Sequence, residues 1–202
     1  SLSDPQLLEK FDRIRVWQRG DQRAVHKPLL VLLALGRLWR GEQAAVEFAA
    51  IEDELKKLLD QFGPTSAAAS RHYPFWHLKT DGLWTLDGPA RIIERPPGAT
   101  PNLGELREGR VSGSFTPDVL EALRRDRDLI PRIARRIVEA HFPESLQQDV
   151  LDSVGLESGE PAVVQGQGPG SREGTRHSGR AFFWLMKVAV VSVGTTCGWV
   201  AG

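Results

Sequence analysis

Three clusters in this chain combine residue types and spacings that could do chemistry. The first is Arg19, Arg23, His26, Lys27 and Pro28, gathered before and inside the first turn of the run HKPLLVLLALGRLWR. If that run is helical, its first N–H groups are unpaired and carry partial positive charge. Adding Arg, His and Lys there makes an anion site, for which phosphate is the usual ligand. Cations are unfavourable at a helix N-terminus, so their presence asks for a reason. An exposed helix start with solvated charges is the alternative. The second cluster is Arg71, His72, Tyr73, Pro74, Phe75, Trp76 and His77. Phe75, Trp76 and the later Trp84 read as core. Tyr73, the one tyrosine of the chain, and Pro74 read as an apolar dimple with a basic rim. The third cluster is Arg107, Arg110 and Ser112-Gly113-Ser114. A glycine between two serines in a turn points backbone N–H groups outward, which suits a phosphate. An ordinary turn between helices is the alternative.

Common enzyme signatures are absent. The sequence contains no G-x-x-x-x-G-K-[ST] phosphate loop, no H-E-x-x-H and no G-x-S-x-G. The histidines at 26, 72, 77, 141 and 177 are scattered. A metal site from His26, His72 and His77 has no spacing to support it, and surface histidines are the simpler reading. A single cysteine, Cys197, excludes an internal disulfide framework and a Cys-rich zinc site. It fits a reducing, cytoplasmic compartment. Lys and Arg total 26, as do Asp and Glu, so the formal net charge is +0. That excludes a binder driven by charge on the whole chain, but not one with a local basic face. No cofactor and no metal are expected.

The elements that must hold these clusters follow from periodicity. Asp4–Arg19 opens with Asp4 and Pro5 and carries Leu7, Leu8, Phe11 and Ile14 at helical spacing, which predicts an amphipathic helix. His26–Arg40 is apolar on all sides from Leu29 to Leu35, so it belongs at the domain centre. Glu47–Phe62 is amphipathic and stops at Gly63-Pro64. Asp81-Gly82 between aromatic segments predicts a hairpin, Phe75–Thr80 with Leu83–Leu86, and a short third strand at Arg91–Glu94. A short helix is expected over Leu103–Glu108 and a turn over Ser112–Ser114. Three helices, Pro117–Arg125, Leu129–His141 and Glu144–Ser153, close the domain. The fold class is therefore mainly α with a small β-hairpin, α+β. Residues 157–180 read as a Gly/Pro-rich linker. Residues 181–202 are apolar, but Lys187, Gly194 and Gly198 argue against a membrane segment.

Taken in order, HKPLLVLLALGRL, YPFWHLKTDGLW, LREGRVSGSF and AHFPESLQQDVLDSVGL resemble the sulfur-binding domain of McrA-type type IV restriction endonucleases. The resemblance covers about residues 4–156, and residues 1–156 are taken as that domain. It implies a helical fold with a small β-hairpin that binds double-stranded DNA carrying an Rp phosphorothioate linkage. It implies a sulfur pocket of His26, Lys27, Tyr73, Pro74 and His77. The family often has a small residue where His77 stands. It also implies DNA contacts from Arg19, Gln22 and Arg23 and, by a looser match, from Arg107 through Ser112, Gly113 and Ser114; Arg71 and His72, the basic rim read from the residues themselves, are added as DNA contacts. Relatives usually carry a C-terminal HNH nuclease, and residues 181–202 read as a truncated or degenerate start of one, lacking its His-Asn-His and zinc cysteines. The chain is thus expected to bind and not to cut. A generic helical DNA- or protein-interaction domain and an HNH-type nuclease are the competing readings.

Overall fold

The computed structural model describes residues 2–16, 18–19 and 22–156, with the backbone alone described at 18–19 and 22–23. Residues 157–202, which hold the expected linker and C-terminal stretch, lie outside the described residues.

The first helix, α1 (Asp4–Asp12), begins with Pro5 in its first turn, where the missing N–H costs nothing. It ends at Asp12 and does not run to Arg19 as its periodicity predicts. The chain leaves the helix because Ile14 turns into the core and the Arg15 N–H donates to Asp81 Oδ1 at 2.9 Å, in place of a helical carbonyl. Two short strands follow, β1 (Gln18–Arg19) and β2 (Gln22–Arg23), paired antiparallel with Gln18 opposite Arg23. The next helix, α2 (His26–Trp39), is the predicted central one: every residue from Pro28 to Gly36 is buried. It packs against neighbours on several sides, which is why its apolar residues show no polar face. Gly36 has no room for a side chain, since a Cβ there would meet the Val154 carbonyl at 1.9 Å. After β3 (Val46–Glu47) comes α3 (Phe48–Phe62), which stops at Gly63 as expected.

The aromatic segment overturns the expected hairpin. Its first arm is helical: α4 (His72–His77) runs into a 3-10 turn at Leu78–Asp81. Only β4 (Trp84–Asp87) is a strand. Phe75, Trp76 and Leu78 are all buried. Burying neighbours 75 and 76 together suits one helical face and not an alternating strand. Gly82, at φ 72°, closes the 3-10 turn in the left-handed region and is not part of a hairpin loop. The expected third strand at Arg91–Glu94 is instead the short helix α5 (Ala90–Ile93), whose Ile92 and Ile93 N–H groups donate to the Pro89 carbonyl.

Beyond α6 (Leu103–Glu108), the expected turn at Ser112–Ser114 is a strand, β5 (Ser112–Phe115). It is the middle strand of an antiparallel sheet ordered β3-β5-β4, with Gly113 opposite both Val46 and Leu86. Gly113 and Phe115 are buried and Ser112 and Ser114 half-buried, a period of two hidden by the short length of the run. Glycine is required at 113 because the Trp84 indole lies against it; a Cβ would come within 2.5 Å of that ring.

The closing helices α7 (Pro117–Arg125), α8 (Leu129–His141) and α9 (Glu144–Ser153) stand where the sequence places them. A chain of edge-to-face rings joins the layers. Phe48, Phe75, Trp84, Phe115 and Phe11 follow one another at centroid distances of 5.1 to 5.8 Å. The chain ties α3, α4, β4, β5 and α1 into one core and fixes α4 from its inner side. Among the described residues no helix is long and apolar enough to cross a membrane.

Candidate functional site

The start of α2, the outer face of α4 and the segment after α1 enclose a cavity of about 430 Å³. All five residues expected to form a pocket, His26, Lys27, Tyr73, Pro74 and His77, line it. The helical form of α4 is what brings two of them together. Tyr73 and His77 stand one turn apart, with ring centroids at 4.8 Å. Had the extended form expected for Phe75–Thr80 reached back to Tyr73, the two would have been about 13 Å apart. Tyr73 is 50% exposed and is the one large hydrophobic residue left exposed among those described. Its other ring neighbour is His72, at 5.3 Å. Phe75 and Trp76 point the opposite way and are core, as expected.

Three histidines sit in or beside this cavity, and all are biased toward the neutral form. Burial lowers His26 most, against a hydrogen bond to the Ala67 backbone that acts the other way. Burial also lowers His77, aided by the charges of Lys27, Lys79 and His72. His77 Nε2 lies 2.9 Å from Thr100 Oγ1. Burial and the Arg71 charge lower His72. The site therefore presents imidazole and not imidazolium near neutral pH. A histidine whose folded value falls below its ordinary 6.5 stabilises the fold fully above that pH, and the contribution is lost as pH falls through the lowered value. The melting temperature is expected to drop as pH is taken down from 6.5, and His77→Gln is expected to make the drop shallower. A flat profile over that range in both proteins, followed by circular dichroism, would contradict the assignment.

Lys27 was expected to offer its charge to a ligand. Instead its Nζ donates to Asp81 Oδ2 at 2.5 Å. The Asp81 side chain is 1% exposed and that of Lys27 17%. From the sequence Asp81 reads only as a turn residue. The partners lie 54 positions apart, and no local pattern marks such a pair.

The other expected contacts fall in two places. Arg19, Gln22 and Arg23 lie on the β1–β2 ribbon. Val16 and Ala24, just outside the ribbon's two ends, both line the cavity, so the ribbon springs from its edge. Arg71 stands beside His72 but turns to α3, where its Nη2 lies 2.6 Å from Glu52 Oε1. Arg107 binds the same buried carboxylate, with Nε 2.6 Å from Oε2. Arg110 pairs with Glu47 at 2.7 Å. Ser112, Gly113 and Ser114 have their backbone in the sheet ladder. They do not form a turn with its N–H groups turned outward, because β5 pairs with β4 along its length and with β3 at Ser112 and Gly113. Arg107 and these three residues do not line the cavity. Among the described residues no three His, Cys, Asp or Glu side chains are grouped as a metal site requires.

This arrangement can be set beside known proteins. A family model described as ScoMcrA-like, DNA sulfur-binding domain, matches residues 4–159. The sulfur binding domain of ScoMcrA complexed with phosphorothioated DNA has the same fold, with a TM-score of 0.64 and 22% identity over 74% of this chain and 94% of that one. The sulfur binding domain of SprMcrA complexed with phosphorothioated DNA gives a TM-score of 0.60 and 21% identity, over 77% and 95%. The type IV phosphorothioation-dependent restriction endonuclease ScoMcrA matches with a TM-score of 0.61, over 28% of its own length. No curated protein matches the chain. The structural likenesses establish the fold, and the family match over most of the sequence settles membership: the chain belongs to the ScoMcrA-like DNA sulfur-binding domain family.

Proposed function

We propose that residues 4–156 read double-stranded DNA carrying an Rp phosphorothioate linkage, with the sulfur seated in the cavity between α2 and α4, as the recognition part of a type IV restriction system. One observation carries this reading: His26, Lys27, Tyr73, Pro74 and His77, from two separate segments, converge on a single largely apolar hollow. Replacing a non-bridging phosphate oxygen by sulfur keeps the negative charge but gives a larger, more polarizable atom that accepts hydrogen bonds poorly. The Tyr73 and Pro74 rings and the Lys27 methylenes offer such an atom apolar contact. An oxygen set against those rings and methylenes would lose water and gain no donor from them, which is costly. Neutral histidines around the cavity strengthen that bias, since they add no charge to reward an ordinary phosphate.

Affinity then comes from flanking phosphates. Arg19, Gln22 and Arg23 on the β1–β2 ribbon are the nearest candidates, with His72 on the rim; Arg71 is held by Glu52 and acts by fixing the start of α4. Arg107, Ser112, Gly113 and Ser114 are at most contacts farther along the duplex. Binding by such contacts weakens steeply with salt. The domain binds and does not cut, and a DNA-reading role of this kind belongs in the cytoplasm.

The test is one duplex sequence in three forms: unmodified, Rp and Sp. A pocket built from a fixed helix start and fixed rings faces only one non-bridging position. Rp duplex is expected to bind, and Sp to bind no better than unmodified DNA. Equal affinity for both diastereomers removes the pocket. Cleavage of modified plasmid on addition of a divalent metal would restore the nuclease alternative.

A further inference from the structure

The walls of the cavity come from three places: the segment after α1, the start of α2, and α4 with the turn behind it. One side chain touches all three. Asp81 ends the 3-10 turn Leu78–Asp81, which follows His77 and contains Thr80. Its Oδ1 accepts from the Arg15 N–H at 2.9 Å. Its Oδ2 accepts from Lys27 Nζ at 2.5 Å. Arg15, Lys27, His77 and Thr80 all line the cavity, whereas Asp81 is almost wholly buried and does not. Lys27 therefore lends its stem to the wall while its ammonium is engaged by a carboxylate behind it.

We propose that Asp81 is a specificity-determining residue, which makes this wall neutral and apolar by keeping the Lys27 charge from the ligand. The inference rests on the sulfur-pocket reading above. An unpaired ammonium in the wall would favour oxygen, because a charge-assisted hydrogen bond to a phosphate oxygen is stronger than one to sulfur. Seated in the wall itself, and not at the exposed edge where Arg15 stands, such a cation would add attraction for every phosphate that reached the cavity and narrow the difference between modified and unmodified DNA. Paired to Asp81, it contributes carbon contact without that reward.

The experiment compares Asp81→Asn with wild type on unmodified and Rp duplexes of one sequence over a range of salt. Asparagine keeps an oxygen for the Arg15 N–H and removes the charge that holds Lys27. Unmodified DNA is expected to bind on the order of tenfold more tightly, with a salt dependence steeper by about one phosphate contact. The Rp preference is expected to shrink by a similar factor. A second variant, Lys27→Met with Asp81→Asn, removes both charges and leaves an unbranched apolar stem. It is expected to recover the wild-type preference, which also holds the test together if Asp81→Asn alone does not fold. An Asp81→Asn protein with unchanged preference overturns the inference. So does a double variant that fails to prefer sulfur, because Asp81 would then act only by shaping the turn. A wild-type domain without any sulfur preference overturns the underlying reading, which separates the two failures.

Discussion

Tyr73→Ala is expected to abolish most of the sulfur preference while melting close to wild type. The ring is half exposed, and its aromatic neighbours are His72 and His77 and not the core chain of Phe48, Phe75 and Trp84. Truncating a buried aromatic costs about 3–5 kcal/mol of stability, but that applies where the ring fills the core. Here the removed surface faces the cavity, so the loss falls on the complex. Discrimination between Rp and unmodified duplex is expected to fall by on the order of 1–3 kcal/mol, the scale of a modest apolar side-chain surface. Thermal melting and duplex titration on the same variant decide the matter. A protein that melts far lower yet still prefers sulfur when folded in the cold would assign Tyr73 to the core and leave the pocket without its wall.

Glu52→Gln is expected to be the most damaging single change to the fold outside the apolar core. Glu52 is buried and serves two guanidinium groups, Arg71 from the turn before α4 and Arg107 from α6. Their side chains are 14% and 45% exposed, so Arg107 can turn to water when the carboxylate is lost, while Arg71 cannot. The cost should be about 3 kcal/mol, at the low end for leaving one partner of a buried ion pair uncompensated. Chemical denaturation of both proteins measures it. The pH dependence provides an independent check. The Arg107 hydrogen bond, above all, holds the Glu52 carboxyl below its ordinary 4.5. Its contribution is thus present above pH 4.5 and lost as pH falls through the lowered value. The gap between variant and wild type should close in acid. A gap that is absent at neutral pH would show that the pair of arginines contributes nothing. Because Arg71 adjoins His72, this variant should also weaken DNA binding through a displaced α4.

Local pattern carried much of this protein. The all-round apolar run from Leu29 to Leu35 announced a central helix, and Pro117, Pro143 and the spacing between them bounded the closing helices. Residue identity alone singled out His26-Lys27 and Tyr73-Pro74, because unlike chemistries stood side by side where plain core would be uniform. The misreadings share a cause. In YPFWHLKTD the aromatic residues suit a strand by propensity, yet their burial against α2 and α3 selects a helix, and propensity yields to packing. Ser112–Phe115 is too short for its alternation to register, and it is a strand because β3 and β4 lie on either side.

The charges were the least legible. Arg71, Arg107, Arg110 and Lys27 could be named as cations from the chain, but their partners Glu52, Glu47 and Asp81 sit far away in sequence. Hydrophobic periodicity is a property of neighbouring residues, so helix faces and core could be read along the chain. Ion pairing and strand pairing are properties of residues that meet only after folding, and these settled which cations remain to meet a ligand and how closely Tyr73 and His77 stand.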